Sequence, residues 1–276
     1  WNAGLRDVGL LFAPYPEIHH ESLLPRNIVA RYVPRELEAI MDPVDTEPLL
    51  RQRYSAYAWA YNSEIYDSAP WDNIWELTTE KFRNRVVVTD LFEDQVSMTW
   101  FAALVINSDK MADLYEEFFG EPIKLSAPNA GLEFMKRLLD NEVRIVNDSR
   151  DVGRAISAST GPFAGLIGYS RYSDVIKGTE TFAVDTRNSP AAGSFWYLSI
   201  GSFTKSPNTA KLFTRWLMSQ EGGKHWWGPN FPSNPDVTMP EPWVITLKDF
   251  DSIWSPTPEE FADVRDDVLD HWLLWR

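Results

Sequence analysis

The sequence predicts an α/β fold: mainly parallel sheet strands covered by helices. Three observations carry this. Short apolar runs recur, as at 86–88 and 163–169, apolar on both faces as covered strands are. Runs with helical periodicity separate them, several opened by an N-cap residue. The stretch 193–223 joins both signals. Phe195, Tyr197 and Ile200 sit in a β-prone run that ends near Ser202. Thr204 and Lys205 break it, Ser206 stands as an N-cap, and Pro207 takes the first helical position. Leu212, Phe213, Trp216 and Leu217 then form an apolar stripe, with Gly222 and Gly223 as a C-terminal stop.

In chain order, 7–13 reads as a buried strand delivering a loop, Pro14-Tyr15-Pro16, before a short helix at 17–24. Residues 51–61 alternate as a strand, with Tyr57, Trp59 and Tyr61 on one face. A short helix near 72–77 has Asp72 as its cap. A strand at 86–90 leads to a helix at 94–107, and helices follow at 110–119 and 129–141. Next come a strand at 143–146, a helix at 150–157 capped by Asp148 or Ser149, a strand at 163–169 and a short helix at 170–177 ending at Gly178. Seven prolines between Pro229 and Pro258 make 228–258 irregular. Thr257-Pro258-Glu259-Glu260 is a capping box that opens a terminal helix.

At 276 residues the chain can bury a large core in one or two domains. A net charge of −14 argues against nucleic acid or an anionic lipid surface as partner. No run approaches the roughly 18 uncharged apolar residues that would span a membrane. The absence of cysteine removes thiol catalysis, Cys-ligated zinc and disulfides. Thirteen tryptophans suit either core packing or a cleft that stacks a ring.

The run Lys205-Ser206-Pro207-Asn208-Thr209-Ala210-Lys211-Leu212-Phe213, followed by Trp216-Leu217-Met218-Ser219-Gln220-Glu221-Gly222, resembles the late helix of extracytoplasmic solute-binding proteins of ABC importers. The branch in view includes ferric-iron, thiamine, phosphonate and sugar-phosphate binders. Ala210 comes one or two positions early. Tyr61-Asn62 resembles the end of the family's crossover strand, and 70–77 its Pro-x-(Ser/Thr)-Trp-x-x-Leu motif. Residues 81–90 resemble its Lys-x-Lys-Gly-Lys strand entry, with Asn84 in the glycine position.

The resemblance implies a two-lobed protein of the periplasmic-binding type, with one lobe from 1–65 plus 190–276 and the other from 66–186. It also implies a small solute trapped between them by hinge closure, a membrane permease as partner and an address outside the cytoplasm. No covalent chemistry and no cofactor are implied. About one βαβ unit is expected to precede Trp1.

The leading candidate site is 165–172. There a buried strand ends and a helix begins, at the edge where open parallel sheets bind ligands. Gly168, Tyr169, Ser170, Arg171 and Tyr172 fall there. Ser170 can cap the helix or donate to a ligand, and Arg171 offers a planar fork for carboxylate or phosphate. Ferric binders of the family place adjacent tyrosines here, whereas Tyr169 and Tyr172 are three apart with a cation between them. An oxyanion, sugar phosphate or polyol is therefore favoured over ferric ion. Asp90 and Ser97 form a second candidate, as sugar-hydroxyl acceptor and helix-terminus hydroxyl or as structural groups. Tyr15, Tyr57 and Trp59 can stack on a ring or pack in the interior. His19 and His20, adjacent on a helix, cannot both face one metal. No G-x-G-x-x-G, G-x-x-x-x-G-K-[ST] or G-x-S-x-G motif occurs. A carbohydrate-active or phosphate-transferring enzyme, and a ligand-binding sensor domain, remain as alternatives.

Overall fold

The computed structural model describes residues 8–13, 22–226, 230–238, 245 and 247–276. Along the chain lie β1 (Leu10–Ala13), β2 (Val29–Ala30), α1 (Arg35–Glu38), β3 (Leu50–Asn62), β4 (Val86–Thr89), α2 (Gln95–Ile106), α3 (Ser108–Phe119), α4 (Ala130–Asp140) and β5 (Arg144–Val146). There follow α5 (Ser149–Ser157), β6 (Ala164–Gly168), α6 (Tyr172–Ile176), β7 (Phe182–Val184), β8 (Ala191–Gly201), α7 (Pro207–Leu217), α8 (Gln220–Trp226), β9 (Phe231–Pro232), β10 (Ile253–Trp254) and α9 (Pro258–Trp275). Among the described residues no helix is long and apolar enough to cross a membrane.

The chain divides into two compact units: Trp1–Ser55 with Ser194–Thr246, and Ala56–Gly193 with Leu247–Arg276. β3 and β8 each start in one unit and end in the other. The terminal segment falls in the second unit, whereas the sequence reading assigned it to the first lobe. The reason is packing: α9 lies against α2 and α4, and Trp272 is fully buried with its ring 5.9 Å from that of Phe101.

In the first unit β1 and β2 pair antiparallel with β8, and β9 pairs antiparallel with β3. Leu50 and Leu198 form its core with Val33, Leu37, Met41, Leu217 and Met218. The guanidinium of Arg51 stacks over Phe195, and that of Arg53 over Trp196. The α7 helix starts at Pro207 as expected, but its buried face is Ala210, Thr214 and Leu217. The expected stripe is largely outside, with Leu212 68% exposed and Phe213 and Trp216 stacked on each other. Thr214 satisfies its own hydroxyl by donating to the Ala210 carbonyl. Ser206 makes no side-chain cap, and Gly222 and Gly223 lie inside α8 rather than ending α7. Residues 14–21, with Tyr15, His19, His20 and most of the expected 17–24 helix, lie outside the described residues.

In the second unit β5, β4 and β6 form a parallel ladder. β3 joins antiparallel to β6 and β7, while β10 runs parallel to β8. The helix-covered α/β sheet is thus present but mixed: β4–β5, β4–β6 and β8–β10 are the parallel pairs, and the other described pairings are antiparallel. The α2 helix is apolar nearly all round because it is covered by α4 and α9 and also touches the sheet at β4 and β6. The tryptophans take the packing role. Trp59, Trp71, Trp75, Trp100 and Trp272 are buried, many in edge-to-face pairs such as Trp59–Trp100 at 5.3 Å. Trp75 donates its indole N–H to the Met111 carbonyl and Trp100 to that of Pro190. The short turn at Ile74–Thr78 is capped by Asn73, which accepts from Trp75 N–H, not by Asp72. Asn84 takes φ +54°, the left-handed turn its place in the motif demands.

Candidate functional site

Because β5, β4 and β6 are parallel, their C-terminal ends share one edge of the second unit. Two helices, α2 and α5, start there, and the chain leaves β6 into the 169–171 turn and α6. Asp94 ties these starts together. Its Oδ1 accepts from Val96 N–H at 2.8 Å and its Oδ2 from Ser149 N–H at 2.9 Å. Ser149 Oγ in turn accepts from Gly168 N–H at 3.2 Å, and Asp148 caps α5 through Arg150 N–H and Asp151 N–H. Both helix N-termini are therefore already served by the chain's own carboxylates. What is left for a ligand at this edge is side-chain chemistry.

The 168–172 segment brings five of the sequence-derived candidates to one corner, and Tyr57 joins them. Tyr57 lies opposite Gly168 in the β3–β6 ladder, its ring 3.6 Å from where a Cβ on Gly168 would stand. Tyr169 is 1% exposed and stacks on Tyr172, with centroids 5.6 Å apart and planes 20° off parallel. Ser170 is exposed and caps neither the turn nor α6. Arg171 is half-buried and pairs with Asp174, while its Nε has no hydrogen-bond partner. Burial, and then the positive charge of Arg150, pull its pKa below the usual arginine value; Glu180 and Asp148 oppose this, and Arg154 adds to it.

Behind Arg171 sits Glu180, 6% exposed, with Oε2 making no hydrogen bond. It packs on α5 at Gly153, where an added Cβ would come within 2.2 Å of the carboxylate, so a larger residue there would push the end of the Glu180 side chain aside. Burial raises the Glu180 pKa above its ordinary 4.5, opposed by Arg171, Arg154 and Arg150. A carboxyl whose pKa is higher folded than unfolded costs nothing while protonated in both states. Its penalty grows as pH rises from the unfolded pKa through the folded one. Glu180→Gln is therefore expected to gain in thermal midpoint relative to the parent as pH is raised from 4 to 7, the two differing least at the acid end. A constant difference across that range would contradict the assignment.

Ser97, Asp90 and Trp59 serve the chain's own packing and hydrogen bonds. Ser97 is fully buried and holds α2 to β4, its Oγ accepting from Thr89 N–H at 3.1 Å and lying 2.7 Å from Thr89 Oγ1. Asp90 accepts from Phe92 N–H in its own turn and pairs with Arg276. Trp59 is 0% exposed, with no face open to a ring. Tyr15 lies outside the described residues. Sequence reasoning missed Arg150, Arg154 and Glu180. The i, i+4 spacing of the two arginines on α5 was a readable signal; nothing local marks Glu180. Among the described residues no group of three or more His, Asp or Glu side chains is placed to hold a metal ion.

Neither a family model nor a curated protein matches the chain. Solved structures do. Iron-bound HitA from Pseudomonas aeruginosa superposes with TM-score 0.70 at 14% identity, over 96% of this chain and 81% of that one. A ferric binding protein from Campylobacter jejuni gives 0.71 at 14%, over 96% and 83%. The substrate binding protein of an ABC transporter from Agrobacterium tumefaciens gives 0.67 at 12%, over 96% and 78%. The chain has the fold of the extracytoplasmic solute-binding proteins of ABC importers.

Proposed function

We propose that the chain is the solute-binding component of an ABC-type import system, working outside the cytoplasm and delivering its solute to a membrane permease. Its ligand is a small oxyanion, such as a phosphonate or sugar phosphate, bound without turnover at the β6–α6 corner of the second unit. The observation that carries the ligand class is Arg171: partly desolvated, paired with Asp174 through one side of its guanidinium, with its buried Nε making no hydrogen bond and Arg150 and Arg154 set against Glu180 and Asp148 around it. A bound anion relieves the repulsion among the arginines, which a trivalent cation would aggravate, and completes the fork. Ser170, exposed beside it, is free to donate a hydroxyl.

Ferric ion is the second reading, favoured by the names of the structural neighbours. Against it stand the stacking of Tyr169 on Tyr172 and the guanidinium between them in sequence. Phenolates make good ligands for a hard cation when their oxygens converge on it. Thermal unfolding in the presence of phosphate, methylphosphonate, glucose 6-phosphate and ferric citrate separates the two. At a hundred times its Kd a ligand that binds only the folded state adds about 2.7 kcal/mol. We expect a raised midpoint with at least one of the phosphorus oxyanions and none with ferric citrate; the reverse pattern establishes the iron reading.

A further inference from the structure

A pocket of about 270 Å³ opens in the second unit, formed by one face of α3, the 187–190 loop that precedes β8, and Ser252 and Trp254 at β10. None of its lining residues belongs to the 168–172 corner. Its volume falls just under the usual range for drug-sized ligands, which suits something the size of an amino acid.

The wall is built rigidly. Trp71 donates its indole N–H to Asp185 Oδ2 at 3.1 Å and to Ser189 Oγ at 2.9 Å. Asp185 Oδ1 accepts from Arg187 N–H and Asn188 N–H, and Asn188 Nδ2 donates back to the Trp71 carbonyl. Trp100 fixes the Pro190 carbonyl. A loop held at so many points loses little entropy when a guest arrives.

The α3 face carries Lys110, Asp113, Leu114 and Glu117, at i, i+3, i+4 and i+7. Positive charge therefore stands at one end and negative charge toward the other, about 10 Å along the helix axis at 1.5 Å per residue. Lys110 Nζ lies 5.5 Å from the centre of the Trp254 ring and donates to Asn107 Oδ1. Asp113, Glu117 and Arg187 line the pocket with no ion-pair partner among the described residues. Leu114, Pro190 and Trp254 supply apolar surface.

We infer that this pocket binds a small zwitterion with an apolar body, such as a hydrophobic amino acid, its carboxylate toward Lys110 and its ammonium toward Asp113 and Glu117. Both signs of charge matter: a plain anion meets Asp113 and Glu117, and a plain cation meets Lys110 and Arg187. This inference does not rest on the oxyanion reading of the 168–172 corner, and neither fails with the other.

The test is a titration of the intact chain followed by two-dimensional NMR of the tryptophan indole N–H signals, with Trp254 assigned from a Trp254→Phe spectrum. The probes are L-phenylalanine, phenylacetate and phenethylamine. We expect L-phenylalanine to shift the Trp254 signal saturably, at least tenfold more tightly than either single-charge probe. Lys110→Met and Glu117→Gln, both at exposed positions, should each weaken L-phenylalanine about tenfold while leaving the remaining spectrum in place. No saturable shift up to ~10 mM, equal affinity for all three probes, or indifference to both substitutions overturns the inference.

Discussion

Arg171→Ala is expected to weaken the oxyanion ligand by roughly 1.5–3 kcal/mol, the range for hydrogen bonds to charged groups. That is about 10- to 150-fold in Kd. The loss comes from the fork itself, because Arg171 offers an unpartnered Nε where the parallel ladder delivers the chain from β6. Arg171→Lys keeps the charge and loses the planar pair of donors, so it should fall between parent and alanine variant. Circular dichroism should be unchanged, since among the described residues the ion pair of Arg171 is local, to Asp174 three residues on. Titration calorimetry with the ligand picked out by the thermal screen reads the effect, and equal affinities in parent and alanine variant would remove Arg171 from the site.

Trp272→Ala is expected to cost about 3–5 kcal/mol of unfolding free energy, typical of emptying a large aromatic site. Trp272 is fully buried at the seam where α9 meets α2 and α4. Its indole N–H has no hydrogen-bond partner, so Trp272→Phe removes less surface and also an unsatisfied donor. The phenylalanine variant should therefore sit much nearer the parent in urea midpoint. A loss under ~1 kcal/mol for the alanine variant would mean that α9 is not docked as described.

These two residues also show where the sequence was readable. Local signals transferred in part, with Asp72, Ser206 and the Gly222-Gly223 stop as exceptions. Asp94 marks the start of α2, Asn84 occupies a left-handed turn, and Thr257 with Glu260 closes a reciprocal capping box. Each is settled within four residues of chain, so no distant partner can reverse it. The strand-to-turn passage at Gly168–Arg171 was legible for the same reason.

Decisions made by distant neighbours did not transfer. Periodicity on α7 shows an apolar stripe, yet the buried face took Ala210 and Thr214 together with Leu217. The terminal helix carries no local sign of which unit receives it; that follows from Trp272 meeting Phe101, 171 positions earlier in the chain. Glu180 is of the same kind. Its place beside Arg171 depends on Gly153 leaving space on α5. Ser97 and Asp90 were chemically plausible ligand groups, but Thr89 and Arg276 already occupy them.

The proposed ligand is a small anion that the chain holds and hands on unaltered. The most direct measurement is calorimetric titration with the oxyanion selected by the thermal screen, followed by recovery of that compound and mass analysis. We expect one molecule bound per chain, recovered intact, with heat lost in Arg171→Ala. Conversion of the compound on incubation, or tight ferric binding with visible phenolate-to-iron absorption that persists in Arg171→Ala, would contradict it.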